Sequence, residues 1–166
     1  MELRRIDSGP APGERPTGIL LELSAISSGR SREVLTKARE VMKAVLSNSD
    51  PWPDLDDWRH VLPAWFVERS APEQTKEEAE RWLAWWRKLP PEAQAQATEE
   101  LRWSIADWLY WLEPEQRQWY WWDGRVVDQD TVRIVIDALD SPTALGALEW
   151  LLKAAGAERV AEAPGR

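Results

Sequence analysis

The spacing of hydrophobic residues predicts a largely helical chain, with the first long helix over residues 32–47. Apolar residues recur there at helical spacing and fall on one stripe: Val34, Leu35, Ala38, Val41, Met42, Val45 and Leu46. Such a stripe faces a core, and polar residues cover the rest of the helix surface. The segment SNSDPWPDLDD then ends the helix, and it supplies Asp54 or Asp56 as the cap of the next one.

Prolines and capping signals divide the middle of the chain into further helices. Two short helical pieces are expected in 56–72, with Pro63 in the first turn of the second. Thr75 and Glu78 have the spacing of a capping box, which predicts a helix from there to about Lys88. The buried stripe of that helix is expected to be Ala79, Trp82, Leu83 and Trp86.

A longer helix is predicted from Pro91 to about Leu112, and it carries two rows of large side chains. The inward row is Leu101, Ile105, Trp108, Leu109 and Leu112. A second row contains Trp103, Asp107 and Trp111, with Tyr110 beside it. A helix that is apolar on most of its surface is buried on several sides or meets a partner. We favour burial against a sheet that follows it.

After Pro114 the pattern changes from helical to alternating, which predicts a small antiparallel sheet over about 118–137. Asp123-Gly124 is expected to form a hairpin turn and Asp128-Gln129-Asp130 a second one, so that three strands form a meander. In that register the core face is Trp119, Trp121, Val126, Val132, Ile134 and Ile136. The opposite face is Tyr120, Trp122, Arg125, Val127, Thr131, Arg133 and Val135.

The two ends of the chain carry weaker signals. Residues 1–18, rich in Pro and Gly, are expected to be a flexible leader, and deletion of residues 1–16 is expected to leave stability nearly unchanged. The run 19–26 is compatible with a strand or with a helical turn. Ser141 and Pro142 predict the start of a last helix that ends at Gly156.

Together these elements predict the α+β class. Four or five helices are expected to pack on the three-stranded meander, and a C-terminal helix follows the meander. The helices and strands belong to one domain over 19–157, and residues 158–166 are expected to be a tail. A chain of 166 residues is long enough for one such core.

Tryptophan is unusually frequent, and its placement raises the main functional question. The chain contains 13 Trp, against 2 Tyr and 1 Phe. The stretch 107–124 alone holds Trp108, Trp111, Trp119, Trp121 and Trp122. Indole rings fill cores, stack on ligands or anchor partner proteins. We expect most of them to serve packing.

Charge and composition exclude several kinds of partner. The formal net charge is −8 at pH 7, so we expect neither general nucleic-acid binding nor attraction to anionic membranes. No apolar run approaches the roughly 20 residues that span a bilayer. The first residues lack the apolar segment of a signal peptide. The chain has no cysteine, which excludes disulfides and thiolate metal sites. A cytoplasmic protein is therefore expected.

Candidate catalytic and metal-binding residues are few. His60 is the only histidine, and no serine motif accompanies it, so we do not expect it to be catalytic. Asp128 and Asp130 are expected to serve a turn, because the other ligands of a calcium loop are missing. Asp107 is expected to accept a structural hydrogen bond, from Arg117 or from an indole N–H. No cofactor or metal site is expected.

Three strings together resemble a known kind of sequence: LPAWFVE at 62–68, DWLYWLEPEQRQWYWWD at 107–123 and ALEWLLKAAGA at 147–157. They are similar to a group of small Trp-rich proteins from high-GC Gram-positive bacteria. The excess of Arg over Lys and the many alanines suit such a genome. The resemblance implies a bacterial cytoplasmic protein, and it brings no activity, cofactor or site residue with it.

The favoured function at this point is a non-catalytic module that binds a protein partner. Trp, Tyr and Arg are enriched at binding hot spots. The second sheet face offers Tyr120, Trp122, Arg125 and Arg133. Because the chain is acidic, an immunity-like neutraliser of a basic partner is one form of this hypothesis.

Two alternatives stay open. The first is a small-molecule or carbohydrate binder, with a Trp-lined cleft at Trp103, Asp107 and Trp111 between the helix and the meander. The second is an enzyme with an unrecognised carboxylate site. The oligomeric state is not constrained by the sequence.

The register of the sheet makes a sharp prediction for Trp122. If Asp123-Gly124 is a turn, the ring of Trp122 points away from the core. It is then either exposed for a partner or covered by the run 19–26 or by the last helix. We favour the exposed ring, in which case Trp122→Ala should cost under about 0.5 kcal/mol of stability.

Overall fold

A computed structural model describes residues 1–163, which form eight helices and one four-stranded antiparallel sheet. The helices are α1 (Glu2–Ser8), α2 (Ser31–Ser47), α3 (Leu55–Val61), α4 (Ala64–Arg69), α5 (Lys76–Trp86), α6 (Pro91–Glu100), α7 (Ile105–Tyr110) and α8 (Gly146–Ala154). The strands are β1 (Ile19–Ile26), β2 (Trp119–Val126), β3 (Thr131–Ala138) and β4 (Arg159–Glu162). The α+β class is confirmed, whereas the smaller helix count and the three-stranded meander are wrong. None of the helices in this part of the chain combines the length and hydropathy that a membrane span requires.

The sheet has the strand order β2-β3-β1-β4, so β1 and β3 are its central strands. The ambiguous run 19–26 is thus a strand, and it is paired on both sides. Leu23 lies opposite Ile134 of β3 and opposite Glu162 of β4. The expected tail is a strand over 159–162, and its last residues, 164–166, lie outside the described part of the chain.

The expected turn at Asp123-Gly124 is wrong, because both residues lie inside β2. A β-carbon at position 124 would lie 2.5 Å from Cζ2 of Trp121, so the glycine makes room for that indole ring. The pairing register shifts between Trp121 and Asp123, which leaves Trp122 as the extra residue of a β-bulge. One hairpin therefore takes the place of the expected two.

The other expected turn, Asp128-Gln129-Asp130, does connect β2 to β3. A carboxylate oxygen of Asp128 accepts hydrogen bonds from the backbone N–H groups of Asp130 at 2.8 Å and Thr131 at 2.7 Å. The bond from Asp130 is the main reason that the pKa of the Asp128 carboxyl lies below its usual value. Aspartate serves this turn through local backbone hydrogen bonds.

The expectation of a flexible leader in 1–18 is also wrong, because α1 packs along the outer edge of β2. The backbone N–H of Trp121 donates to the Glu2 carboxylate at 2.6 Å, and its carbonyl oxygen accepts from Arg5 at 3.4 Å. Ile6 of the same helix is fully buried. Covering an edge strand removes a site where another chain could pair. The sequence gives only a weak indication that α1 packs on β2, because Ile6 is the one buried apolar residue of this helix.

The hydrophobic core lies between the sheet and the helices packed on its inner face. The predicted stripe of α2 is largely confirmed, with these members buried: Val34, Leu35, Ala38, Val41, Met42 and Val45. Most of the predicted inner face of the sheet is buried too: Trp119, Trp121, Val132, Ile134 and Ile136. The last helix, α8, begins at Gly146 and not at Pro142. Phe66 and Trp108 join α4 and α7 to this core, with ring centroids 4.7 Å apart.

The helix expected over 91–112 is broken between α6 and α7. The hydroxyl of Ser104 accepts a hydrogen bond from the backbone N–H of Asp107 at 3.2 Å, and this cap starts α7. The inward row is buried only after the break, at Ile105, Trp108, Leu109 and Leu112, while Leu101 is exposed. The Ser-x-x-Asp spacing is itself a capping signal, and it could have predicted the break.

The stripe expected to be buried in α5 is not buried. The capping box of Thr75 is present, but Ala79 and Leu83 are exposed, and Trp82 and Trp86 are half-buried. Trp86 donates its indole N–H to the carbonyl oxygen of Gln94, which ties α5 to α6. Neither helix contains a buried residue. The two helices therefore stand apart from the main core as a hairpin.

Candidate functional site

A cleft separates α5 from α7, and it exists because the chain is extended between α6 and α7. The backbone N–H of Ala71 donates to the carbonyl oxygen of Trp103 at 2.9 Å, which fixes this extended segment. Trp103 and the side chains of α7 form one wall, and Trp82 of α5 contributes to the other. We name this space, of about 340 Å³, the α5–α7 cleft.

Four aromatic rings line the α5–α7 cleft, and none belongs to the buried core. Trp82, Trp103 and Trp111 are half-buried, and Tyr110 is 47% exposed. The rings of Tyr110 and Trp111 meet edge to face, with centroids 5.4 Å apart. Elsewhere the largest fully buried side chains are also indoles: Trp58, Trp108, Trp119 and Trp121. The fully buried indoles thus serve packing, whereas Trp82, Trp103 and Trp111 remain partly accessible in the cleft.

Four polar side chains also line the α5–α7 cleft: Gln74, Arg102, Ser104 and Asp107. The hydroxyl of Ser104 is engaged in capping α7. The carboxylate of Asp107 is exposed, and no side chain within residues 1–163 donates a hydrogen bond to it or pairs with it. The structural hydrogen bond expected for Asp107 is therefore absent from this part of the chain. Arg117, its expected donor, binds Glu2 instead.

A second groove, between α6 and α8, adjoins the cleft across Trp103 and has a volume of about 580 Å³. A β-carbon on Gly146 would lie 2.9 Å from Cζ2 of Trp103, so this glycine lets the indole approach α8 closely. The carboxylates of Glu99 and Glu149 line the groove together with Lys153. Trp103 is the aromatic side chain that the two spaces share.

The ring of Trp122, expected to be exposed, is buried with 7% of its surface accessible. The guanidinium of Arg5 lies 4.8 Å from the ring centroid and covers it. The covering segment is α1, and not the run 19–26 or the last helix. The prediction failed because the bulge at Trp122 breaks the alternation of side chains along β2.

The other three expected partner-binding residues lie in different environments. Arg133 is half-buried and forms an ion pair with Glu22 at 2.8 Å. Tyr120 is half-buried, with the guanidinium of Arg117 at 5.1 Å from its ring centroid. Arg125 is exposed. The structure does not bring these residues together with Trp122 as one accessible patch.

No protein-family model, curated protein or solved structure matches the chain. The resemblance to Trp-rich bacterial proteins therefore stays a prediction.

The remaining candidate for chemistry, His60, is exposed, and its Nδ1 donates to the carbonyl oxygen of Asp56 at 2.8 Å. Within residues 1–163, no three His, Cys, Asp or Glu side chains are grouped so that they could hold a metal ion. His60 therefore has the exposure and the local hydrogen bond of an ordinary side chain on a helix surface.

The structure brings the three predicted cleft residues, Trp103, Asp107 and Trp111, to the α5–α7 cleft. The opposite wall was predicted to be the sheet, whereas it is α5. Trp82 was missed as a site residue because its helical spacing is the same whether the stripe faces a core or a cleft. The polar composition of α6 is the signal that could have indicated an accessible Trp82, because a helix without an apolar stripe cannot bury the apolar residues of α5.

Proposed function

We propose that the protein is a non-catalytic binding module and that the α5–α7 cleft is its ligand site. One observation carries the proposal: aromatic side chains from α5, α7 and the segment before α7 line one cleft and remain partly exposed. Ligand sites are concave and mostly apolar, contain a few polar groups, and have volumes from about 300 Å³ upward. The rings, the four polar side chains and the volume of about 340 Å³ agree with that description.

The energetics of packing support the same proposal. Burying a large apolar side chain completely stabilises a fold by about 1.5–3 kcal/mol. Trp82, Trp103 and Trp111 obtain only part of that stabilisation, since each is half-buried. A ligand in the cleft would remove their remaining exposed surface from water. Binding would therefore draw on hydrophobic free energy that folding leaves unused.

The test is a titration followed through the indole N–H signals in heteronuclear NMR spectra. The ligands are a panel of saccharides and small aromatic compounds. We expect the signals of Trp82, Trp103 and Trp111 to shift together, and those of the core residues Trp58 and Trp121 to stay in place. If no compound of any class shifts the cleft signals, the cleft is not a ligand site.

A matched pair of variants strengthens this test. Trp111→Phe removes part of a cleft ring and should weaken binding by about tenfold, because large aromatic side chains dominate contact energies. Trp85→Phe makes the same chemical change at a ring that is 50% exposed and does not line the cleft, and it should leave the affinity unchanged. Equal effects of the two substitutions would contradict the proposed location.

A protein partner on the outward face of the sheet is the second candidate. The observation that favours it is that the central side chains of this face are exposed or half-buried: Glu22, Tyr120, Arg125, Arg133 and Val135. The net charge of −8 suits a basic partner, as an immunity-like neutraliser would need. Glu22→Lys reverses the negative charge on this face, so it should weaken capture of a basic partner and leave the NMR titration of the cleft unchanged. A variant that captures the partner as well as the wild type would eliminate this face.

A further inference from the structure

The four rings of the α5–α7 cleft have no cationic partner within residues 1–163, although aromatic rings elsewhere do. Guanidinium or ammonium groups lie 4.8–5.2 Å from the ring centroids of Trp65, Trp119, Tyr120 and Trp122. The face of an aromatic ring is electrostatically negative and attracts a cation. Within residues 1–163 no side-chain cation therefore competes for these rings, although Trp86 stacks on Trp82 with ring centroids 6.4 Å apart.

Fixed charge around the cleft favours the same kind of ligand. Asp107 contributes a carboxylate that no side chain of the described residues neutralises. Segment 71–111, which builds both walls, contains eight Asp and Glu against five Lys and Arg. Such a field raises the local concentration of cations. Arg102 opposes this field, and it also lines a neighbouring groove together with Glu68, Arg69 and Lys153.

We propose that the α5–α7 cleft binds a small organic cation with an alkylated ammonium group, such as the trimethylammonium group of choline. This inference rests on the proposed function and names its ligand class. Metal ions and primary ammonium groups are strongly hydrated, so entry into an aromatic cleft costs them more free energy than it costs an alkylated ammonium group. Alkyl groups around the nitrogen are apolar, so they pack against the rings while the charge remains. Asp107 supplies the counter-charge at the same cleft.

The decisive comparison is between choline and its neutral analogue, in which a carbon atom replaces the nitrogen. The two molecules have nearly the same shape, so any difference in affinity reports the charge. Titrations of the full chain are followed through the indole signals of Trp82, Trp103 and Trp111. Choline should bind at least about tenfold more tightly than the neutral analogue.

The possible results separate this inference from the proposed function. A neutral analogue that binds as tightly as choline overturns the cation proposal and leaves the cleft as a ligand site. If a saccharide shifts the cleft signals and choline does not, the cation proposal is likewise overturned and the cleft remains a ligand site. If saccharides, aromatic compounds, choline and the analogue all leave the cleft signals unchanged, both proposals fail.

Substitutions of charge provide the second arm. Asp107→Asn keeps the shape of the side chain and should lower choline affinity by about fivefold, with no effect on the neutral analogue. Glu77→Gln is the matched control, since it removes one negative charge from α5 outside the cleft lining. Unchanged choline affinity in Asp107→Asn overturns the proposal. If that variant does not fold, the salt dependence of wild-type binding decides, because a charge-assisted affinity must fall as ionic strength rises.

Discussion

At the scale of single residues, Trp122 illustrates how a bulge changes the environment of a side chain. Regular alternation along β2 would place Trp122 and Trp121 on opposite faces of the sheet, yet both rings are buried. The cover is Arg5, whose guanidinium stacks over the ring. Trp122→Ala should therefore cost about 3–5 kcal/mol, the usual range for a buried Trp. Chemical denaturation of Trp122→Ala beside Trp121→Ala tests this, and a cost under about 0.5 kcal/mol would mean that the ring is exposed.

A glycine is required at position 124 by the nearby ring of Trp121 and not by a turn. A β-carbon there would lie 2.5 Å from Cζ2 of Trp121 and 3.1 Å from Cδ1 of Leu35. Gly124→Ala should therefore lower the free energy of unfolding by about 1–3 kcal/mol through overpacking. The control is the double variant with Trp121→Phe, in which the added methyl meets a smaller ring. Strictly additive effects of the two substitutions would contradict the steric explanation.

The carboxylate of Asp128 makes the stability of the turn between β2 and β3 depend on pH. The hydrogen bonds from Asp130 and Thr131 stabilise the carboxylate and lower its pKa in the folded protein. Its contribution is present above the pKa of the unfolded state, about 3.9, and it is lost as pH falls through the lower folded pKa. The difference in unfolding free energy between wild type and Asp128→Ala should thus shrink on acidification below about pH 4. A difference that stays constant in acid would show that the carboxylate charge is not involved.

At the scale of elements, α1 acts as a cover for the outer edge of the sheet. Its anchor is Ile6, which is fully buried, whereas Leu3 on the same helix is 42% exposed. Ile6→Ala should cost about 2–5 kcal/mol of stability. The matched control, Leu3→Ala, should change stability by less than about 0.5 kcal/mol. If thermal melts of the two variants coincide, the packing of α1 on β2 does not contribute to stability.

Local rules predicted individual elements well and their partners poorly. The stripe of α2, the capping box of α5 and the hairpin turn at Asp128 depend on residues close in sequence, and each was predicted. The burial of α5 depends on what lies opposite to it. A helix with the same spacing of Trp82 and Trp86 can face a core or a cleft. Only the tertiary arrangement distinguishes the two, and that arrangement creates the candidate site.

At the scale of the whole molecule, the fold class followed from the sequence, whereas the topology and the site did not. The change from helical to alternating spacing after Pro114 predicted α+β. The pairing of β1 with both β3 and β4 joins segments that are more than a hundred residues apart, and no local pattern encodes it. Likewise, Trp103 and Asp107 were found as neighbours on a predicted helix. Their association with Trp82 depends on the position of the α5–α6 hairpin.

The uneven distribution of burial predicts where the molecule opens first. Regions with few buried contacts open locally at lower free energy than the core. Because α5 and α6 contain no buried residue, their backbone amides should exchange with solvent faster than those of α2 and β3. Hydrogen exchange measured by NMR, residue by residue, checks this.

A ligand in the α5–α7 cleft should slow exchange from the hairpin, because it contacts Trp82 on the hairpin and Trp103 on the body of the protein. At a free concentration of about 100 times its dissociation constant, a ligand stabilises the state that binds it by about 2.7 kcal/mol. Exchange from α5 should then slow by up to about a hundredfold, while amides of β3 that open only by global unfolding slow by the same factor. Protection that appears in β3 but not in α5 would show that the ligand binds elsewhere, since a ligand that contacts α5 must stabilise α5 against local opening.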